Sequence, residues 1–173
     1  MTYTIRAATP ADVPGARSVM LDTLYRDLGY GYHPRWHDDV VDPETVYLRD
    51  PRHALFVATL DDEVVATTGV RAVLPQSPPH PQWLVDRYPR GRTAQLFRVY
   101  VRGEHRRHGL ARKLVAEATR FVAAEGGYDV LYLHTDARVP SAAPFWRSVA
   151  KEVHDGGNGD PATFQTVHFE IPF

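Results

Sequence analysis

Residues able to do chemistry gather between Gln95 and Val122. The stretch reads Gln-Leu-Phe-Arg-Val-Tyr-Val, then Arg-Gly-Glu-His, then Arg-Arg-His-Gly-Leu-Ala, then Arg-Lys-Leu-Val-Ala-Glu-Ala-Thr-Arg-Phe-Val. An apolar strand runs into a turn rich in Arg and Gly, and the turn opens an amphipathic helix. The first turn of a helix carries unpaired backbone N–H groups and the positive end of the helix dipole. Gly109 and Ala111 are small enough for an anion to approach the backbone closely. Arg106, Arg107 and Arg112 add charge around that point. From Arg90 to Lys113 there are seven Arg and one Lys against a single acid, Glu104, while the whole chain stands at −1. The predicted chemistry is the binding of a phosphate-rich ligand.

The elements that must position this turn follow from the flanking pattern. Thr93 to Val101 reads as a central strand. The helix from Gly109 to Ala124 carries Leu110, Leu114, Val115, Ala118, Phe121 and Val122 at helical spacing. Gly126-Gly127 stops it. Asp129 to Thr135 is a nearly continuous apolar run, as in a buried parallel strand, which completes a β-α-β unit. Upstream, Thr4 to Ala7 is a short strand, and Thr9-Pro10-Ala11-Asp12 starts a helix expected to reach about Leu28. A second short helix is predicted from Asp42 to about Leu48. Ala54 to Leu60 and Glu63 to Val73 form a hairpin around Asp61-Asp62. Leu74 to Arg92 holds five prolines and cannot be regular strand; a short helix from Pro81 to Tyr88 is expected inside it, and the segment reads as a lid or an interface. Ser141 to Val149 is a helix, Lys151 to His154 a strand, and Thr163 to Ile171 an alternating final strand. The chain reads as one domain, 1–173, with the Pro-rich insertion at 74–92.

Arg106-x-x-Gly109-x-Ala111, directly after a strand ending Arg98-Val99-Tyr100-Val101, resembles the acyl-CoA signature of the GNAT superfamily of N-acyltransferases. The element order β-α-α-β-β-β-α-β-α-β-β matches that family over essentially the whole chain. The resemblance implies an α/β fold with a mixed, splayed sheet of about seven strands and helices on both faces. It implies acetyl-CoA as co-substrate, with no metal. Backbone groups of Val99 and Val101 are then expected to bind the pantetheine arm, an N–H near Val99 to polarise the thioester carbonyl, and the amides from Arg106 to Ala111 to hold the pyrophosphate. The implied cofactor set is Val99, Tyr100, Val101, Arg106, Arg107, His108, Gly109, Leu110, Ala111 and Arg112, with Phe145 from the late helix.

Acyl transfer to an amine needs a neutral amine and a stabilised oxyanion, while thiolate is a tolerable leaving group. Family members often carry a Glu or His base eleven or nine residues before the motif's first residue; those positions here hold Gln95 and Phe97. A Tyr acid is often found in Ala-x-x-Phe-Tyr; here Ala142-Ala143-Pro144-Phe145-Trp146 fits the frame, and indole N–H has no useful acidity. Three routes remain open for the amine proton: His134 or Asp136 at the end of a strand, the loop His33 to Asp39, or water. Tyr30, Tyr32 and Trp36 match the family's acceptor-side loop and, with Gln95, are the candidate substrate contacts. Asp38, Asp39, Asp42 and Glu44 read either as an attractor for a cationic amine or as a solvated helix start. His33-x-x-x-His37 has metal-ligand spacing, but Pro34 intervenes and no third ligand is evident.

Composition bounds the partners. There is no Cys, hence no acyl-cysteine route and no thiolate metal site. Outside Arg90–Lys113 the chain has 12 basic against 20 acidic residues (20 − 8 and 21 − 1), which disfavours nucleic acid. No apolar run approaches a membrane span, and the first residues lack an apolar signal core, so a cytoplasmic protein is expected. The expected activity is acetyl transfer from acetyl-CoA to the primary amine of a small molecule in a ternary complex, with a homodimer possible. The alternatives are a protein N-terminal or lysine acetyltransferase and a non-catalytic acyl-CoA-binding module.

Overall fold

The computed structural model describes all residues from Met1 to Phe173. Its strands are β1 (Thr4–Ala7), β2 (Ala54–Leu60), β3 (Glu63–Arg71), β4 (Thr93–Val101), β5 (Val130–Asp136), β6 (Lys151–Asp155) and β7 (Thr166–Glu170). Its helices are α1 (Val13–Asp22), α2 (Asp38–Val41), α3 (Gln82–Asp86), α4 (Leu110–Glu125) and α5 (Ala142–Val149). The seven strands form one mixed sheet in the order β1-β2-β3-β4-β5-β7-β6. The expected α/β architecture and strand count are therefore observed. Two compact units share the chain: Met1–Arg71 with Leu96–Phe121, and Ala72–Gln95 with Val122–Phe173. Strand β4 changes unit after Gln95.

In the first unit, β1 and β3 flank β2, both antiparallel to it. The β2–β3 hairpin turns on Asp61 and Asp62, with φ of 50° and 65°. Two left-handed residues in a two-residue loop match the right-handed twist of the strands. The helix start at Thr9 forms as expected: the Asp12 carboxylate accepts the Thr9 N–H at 2.7 Å and its hydroxyl at 3.0 Å. Arg6 bonds both Asp12 oxygens, and that hydrogen bonding holds the carboxyl at a pKa of about 2 despite burial. The α-helix ends earlier than its apolar spacing predicts. Thr23 turns its hydroxyl back onto the Val19 carbonyl, and Thr23–Asp27 widens into a π-helical turn. Helix α2, a single turn ahead of Pro43, was not legible in the sequence, and Glu44–Leu48 is again π-helical. Ala16, Val19, Met20, Leu24, Val40, Tyr47, Leu55, Val57 and Val64 make the core of this unit.

In the second unit, β5 runs parallel to β4 over three pairs, Thr93 with Val130 to Gln95 with Tyr132. So short a ladder is what a splayed sheet requires. Strand β7 lies antiparallel between β5 and β6. The final strand starts at Thr166, later than the predicted Thr163. Gln165 diverts the chain there: its side-chain oxygen accepts the amides of Asn158 and Gly159, and its NH2 donates to Asn158 and to the Asp160 carbonyl. The Pro-rich segment is ordered within this unit. Leu84 and Tyr88 are buried against Tyr132, and the Tyr88 hydroxyl donates to Glu170 at 2.9 Å.

Candidate active site

The first unit carries the turn that the sequence singles out. After β4, a short 3-10 turn (Gly103–His105) leads to Arg107 at φ +65° and Gly109 at φ +72°. The two left-handed residues curl the backbone into the start of α4, whose first helical bond is Lys113 N–H to the Gly109 carbonyl at 3.1 Å. The first amides of an α-helix point out of its end, so the backbone from Gly109 to Ala111 suits an anion. No atom lies within 4 Å of where a Gly109 side chain would begin, so the backbone there is open. Leu110 is buried and anchors the turn from beneath. His108 bonds back through Nδ1 to the Arg106 carbonyl at 2.9 Å, and Tyr3 braces His105 through its hydroxyl at 3.0 Å.

The arginines divide into structural and solvent-facing sets, which the sequence could not separate. Arg106 folds back onto the Val101 carbonyl and Asp27, and Arg102 reaches Asp22 and Ser18. Arg92 pairs with Asp129, and Arg98 with Asp39. Arg107 stands exposed beside Gly109.

Strand β4 is irregular where the pantetheine contacts are expected. Arg98 has φ +53°, a left-handed conformation inside a strand. The Thr67 hydroxyl donates to the Arg98 carbonyl at 2.8 Å and the Thr68 hydroxyl to Phe97 at 3.3 Å. Asp39, read from sequence as an amine attractor or a solvated helix start, is neither: it is fully buried and bidentate with Arg98. Val99, Tyr100 and Val101 are half-buried, and Tyr100 packs on the core of the unit. The acceptor-loop candidates Tyr30, Tyr32 and Trp36 are 46%, 38% and 37% exposed. The His33–His37 pair is explained locally, since His37 Nδ1 accepts the His33 N–H at 2.7 Å.

The second unit holds the other candidates. Gln95 is buried in β4 opposite Tyr132. Phe145 is half-buried on α5, edge-on to Trp146 at 4.9 Å, and Trp146 is buried. Asp136 accepts Arg138 Nε and Nη2 and the amides of Arg138 and Gln165. Burial works against its charge, but those bonds keep its carboxyl below the usual range, so it is a poor proton acceptor. His134 is exposed at the end of β5. It belongs to a group that the sequence reading missed. His134, His168 and His154 face one another across β5, β7 and β6, and the His80 ring lies 4.5 Å from His134 and 5.0 Å from His168. The Tyr132 hydroxyl sits 2.6 Å from His168 Nδ1 and 3.3 Å from His134 Nδ1. Burial, then His80 and His154, lower the His168 pKa to about 4, and burial lowers that of His80. A two-residue period joining Tyr132 to His134 was the available signal, but it does not show which strands pair.

A strand carrying a left-handed residue, a left-handed glycine turn and a helix start, with a seven-stranded mixed sheet, make up the arrangement of an acyl-CoA-dependent acyltransferase. The chain belongs to the acetyltransferase (GNAT) family, whose pattern it matches over residues 18–150. Its fold is that of an acetyltransferase of GNAT family from Staphylococcus aureus Mu50 (TM-score 0.72, 15% identity, 98% of each chain). It also has the fold of the PaiA N-acetyltransferase from Thermoplasma acidophilum, solved in complex with coenzyme A (TM-score 0.68, 13% identity, 100% of each chain). A ribosomal-protein-alanine N-acetyltransferase from Brucella melitensis also shares the fold (TM-score 0.70, 18% identity, 98% and 99% covered). No curated protein matches the sequence. No helix is long and apolar enough to cross a membrane.

Proposed function

We propose that this acetyltransferase moves the acetyl group of acetyl-CoA directly to the primary amine of a small molecule. The observation that carries the reading is the turn Arg106–Ala111, with Gly109 at φ +72° opening α4 immediately after the irregular strand β4. Its donors are backbone amides, and the donor set fits a pyrophosphate. Val99 and Val101, flanking Tyr100, would take the pantetheine arm through their backbone, and a Val99 N–H donor would polarise the thioester carbonyl. Leu110, His108 and Arg112 shape the turn, and Phe145 is the contact assigned to α5. Direct transfer agrees with the absence of Cys from the chain.

The proton of the attacking amine is assigned to His134 rather than Asp136. An imidazole nitrogen can accept a proton, and the His134 side chain is exposed. The Asp136 carboxylate is already committed to Arg138 and the Gln165 amide. Gln95 and Phe97 cannot take a proton at the positions where relatives often carry a base. Tyr30, Tyr32 and Trp36 form the proposed acceptor wall of the first unit, and Gln95, buried in the second, is a separate candidate contact.

Isothermal titration with acetyl-CoA, on the wild type and Gly109→Glu, tests the assignment. A carboxylate at that turn repels the pyrophosphate, and Glu is strained at positive φ. Binding by the wild type and at least a hundredfold loss in the variant are expected. Absence of binding by the wild type to acetyl-CoA, CoA or longer acyl-CoAs overturns the reading. A panel of small amines, set beside peptides with free N-termini or lysines, then identifies the acceptor class.

A further inference from the structure

We infer that Arg98 is a positioning residue for acyl transfer: clamped to Asp39, it holds β4 in the irregular geometry that aims the Val99 N–H. This rests on the acyl-CoA reading above. Four residues other than glycine have positive φ: Asp61, Asp62, Arg98 and Arg107. Three of them sit in turns, and Arg98 alone lies inside a strand. A left-handed conformation costs an L-residue on the order of 1–2 kcal/mol, so the surroundings must impose it.

The surroundings of Arg98 do so from several sides. Its Nε and Nη2 donate to the two Asp39 oxygens at 2.8 and 2.7 Å, and Nη2 also donates to the Trp36 carbonyl at 2.7 Å. The Tyr47 hydroxyl donates to Asp39 at 2.5 Å, completing the buried carboxylate. Tyr47 can lie there because residue 69 is glycine; a Cβ at that position would stand 2.4 Å from the Tyr47 ring. The hydroxyls of Thr67 and Thr68 hold the carbonyls of Arg98 and Phe97. A left-handed residue in a strand re-aims the peptide groups that follow it, here the Val99 N–H. A clamp that fixes Arg98 therefore fixes the direction of that donor. It also ties the backbone of Trp36, in the proposed acceptor wall, to the same guanidinium.

The test reads the donor directly. The carbonyl stretch of acetyl-CoA labelled with 13C at the thioester carbonyl is recorded by difference infrared spectroscopy, with binding followed by titration calorimetry. Wild type, Arg98→Ala, Arg98→Gly, Arg98→Lys and Asp39→Asn are compared. A hydrogen bond to the carbonyl lowers its frequency, so the wild type is expected to show a red shift on binding. Arg98→Ala and Asp39→Asn should lose most of it while binding acetyl-CoA within about threefold of wild type. Arg98→Gly should recover part of it, since glycine adopts positive φ without strain. Arg98→Lys, which keeps the charge but not the two-pronged geometry, should be intermediate and serves if the other variants fail to fold. A red shift retained in full by folded Arg98→Ala or Arg98→Lys overturns the inference, as does its absence from the bound wild type. Failure of the wild type to bind acetyl-CoA is the separate failure of the acyl-CoA reading.

Discussion

The two units bury polar groups in opposite ways. Around Arg98 the first unit buries full charges and neutralises them in pairs. Burial alone would push the Asp39 carboxyl up and the Arg98 guanidinium down, but their mutual hydrogen bonds and charge reverse both shifts. Neither partner titrates in the ordinary range, so that geometry is insensitive to pH. Around His168 the second unit buries one neutral imidazole, edge-on to His80, stacked on His154 and within hydrogen-bond distance of the Tyr132 hydroxyl. Burial lowers the pKa of His168 and His80, and it raises that of Tyr132, with Tyr88 adding to the effect. Protonating His168 would put a charge in that buried site, so its packing favours the neutral ring. A buried ion pair fixes a shape against pH, whereas a buried imidazole group makes shape depend on pH.

Removing one member of the ion pair gives the largest effect. Asp39→Ala leaves a guanidinium buried with no counter-charge, which costs about 3–5 kcal/mol. Chemical denaturation should show that loss as nearly constant between about pH 5 and about pH 8. A loss that varies strongly over that window would mean that Asp39 is not the partner that keeps Arg98 charged. Next comes Gly69→Ala, which drives a methyl group into the Tyr47 ring. Overpacking of this kind costs about 2–3 kcal/mol. If Ala is tolerated with an unchanged Tm, the Tyr47 ring has room to move and does not lock the carboxylate.

The histidine group supplies the third effect, with the sign set by linkage. The His168 pKa falls from 6.5 in the unfolded chain to about 4 in the folded one. The unfolded chain thus binds more protons between those values. The stabilisation is full above about pH 6.5 and is lost as the pH falls toward 4. Between about pH 7.5 and about pH 5 the loss from His168 alone is about 2 kcal/mol, and His80 shifts in the same direction. His168→Gln should flatten that part of the stability profile. An unchanged acid slope in the variant would place the pH sensitivity elsewhere.

How much of this was legible follows from what each feature depends on. The glycine turn was legible because its parts are consecutive: a strand end, Gly109 and a helix start within a dozen residues. The strands and α4 followed from patterns of period two and 3.6. The Arg98 clamp was hidden because its members, Trp36, Asp39, Tyr47, Gly69 and Arg98, are brought together only by tertiary structure. Asp39 sits in a run of acids that reads as a solvated helix start, and nothing local shows that it is the one turned inward. The histidines were hidden for a related reason, since register across three strands put them in one row. Charge density around the turn was misleading in the other direction: the arginines at 92, 98, 102 and 106 serve ion pairs.

Deleting one phenolic oxygen from each unit sharpens the contrast to its smallest scale. In Tyr47→Phe, Asp39 keeps both bonds from Arg98 but loses a donor at 2.5 Å. Hydrogen bonds to charged groups contribute about 1.5–3 kcal/mol, and the remaining pair limits the loss to the lower end. In Tyr132→Phe, a neutral bond at 2.6 Å to His168 Nδ1 is lost, for about 1 kcal/mol. Their pH dependences should differ more than their sizes. The Tyr47→Phe loss is expected to be the same at either end of the window, because the carboxylate is charged throughout. The Tyr132→Phe loss should shrink only as the pH nears the folded-state value of His168, about 4, because protonation of the unfolded chain is the same in wild type and variant and cancels. Denaturant titrations of both variants at about pH 4.5 and about pH 7.5 measure this. Equal pH dependence in the two would mean that the hydroxyl of Tyr132 does not stabilise the neutral form of His168, and the distinction between a charge-locked and a charge-free interior would fail at that residue.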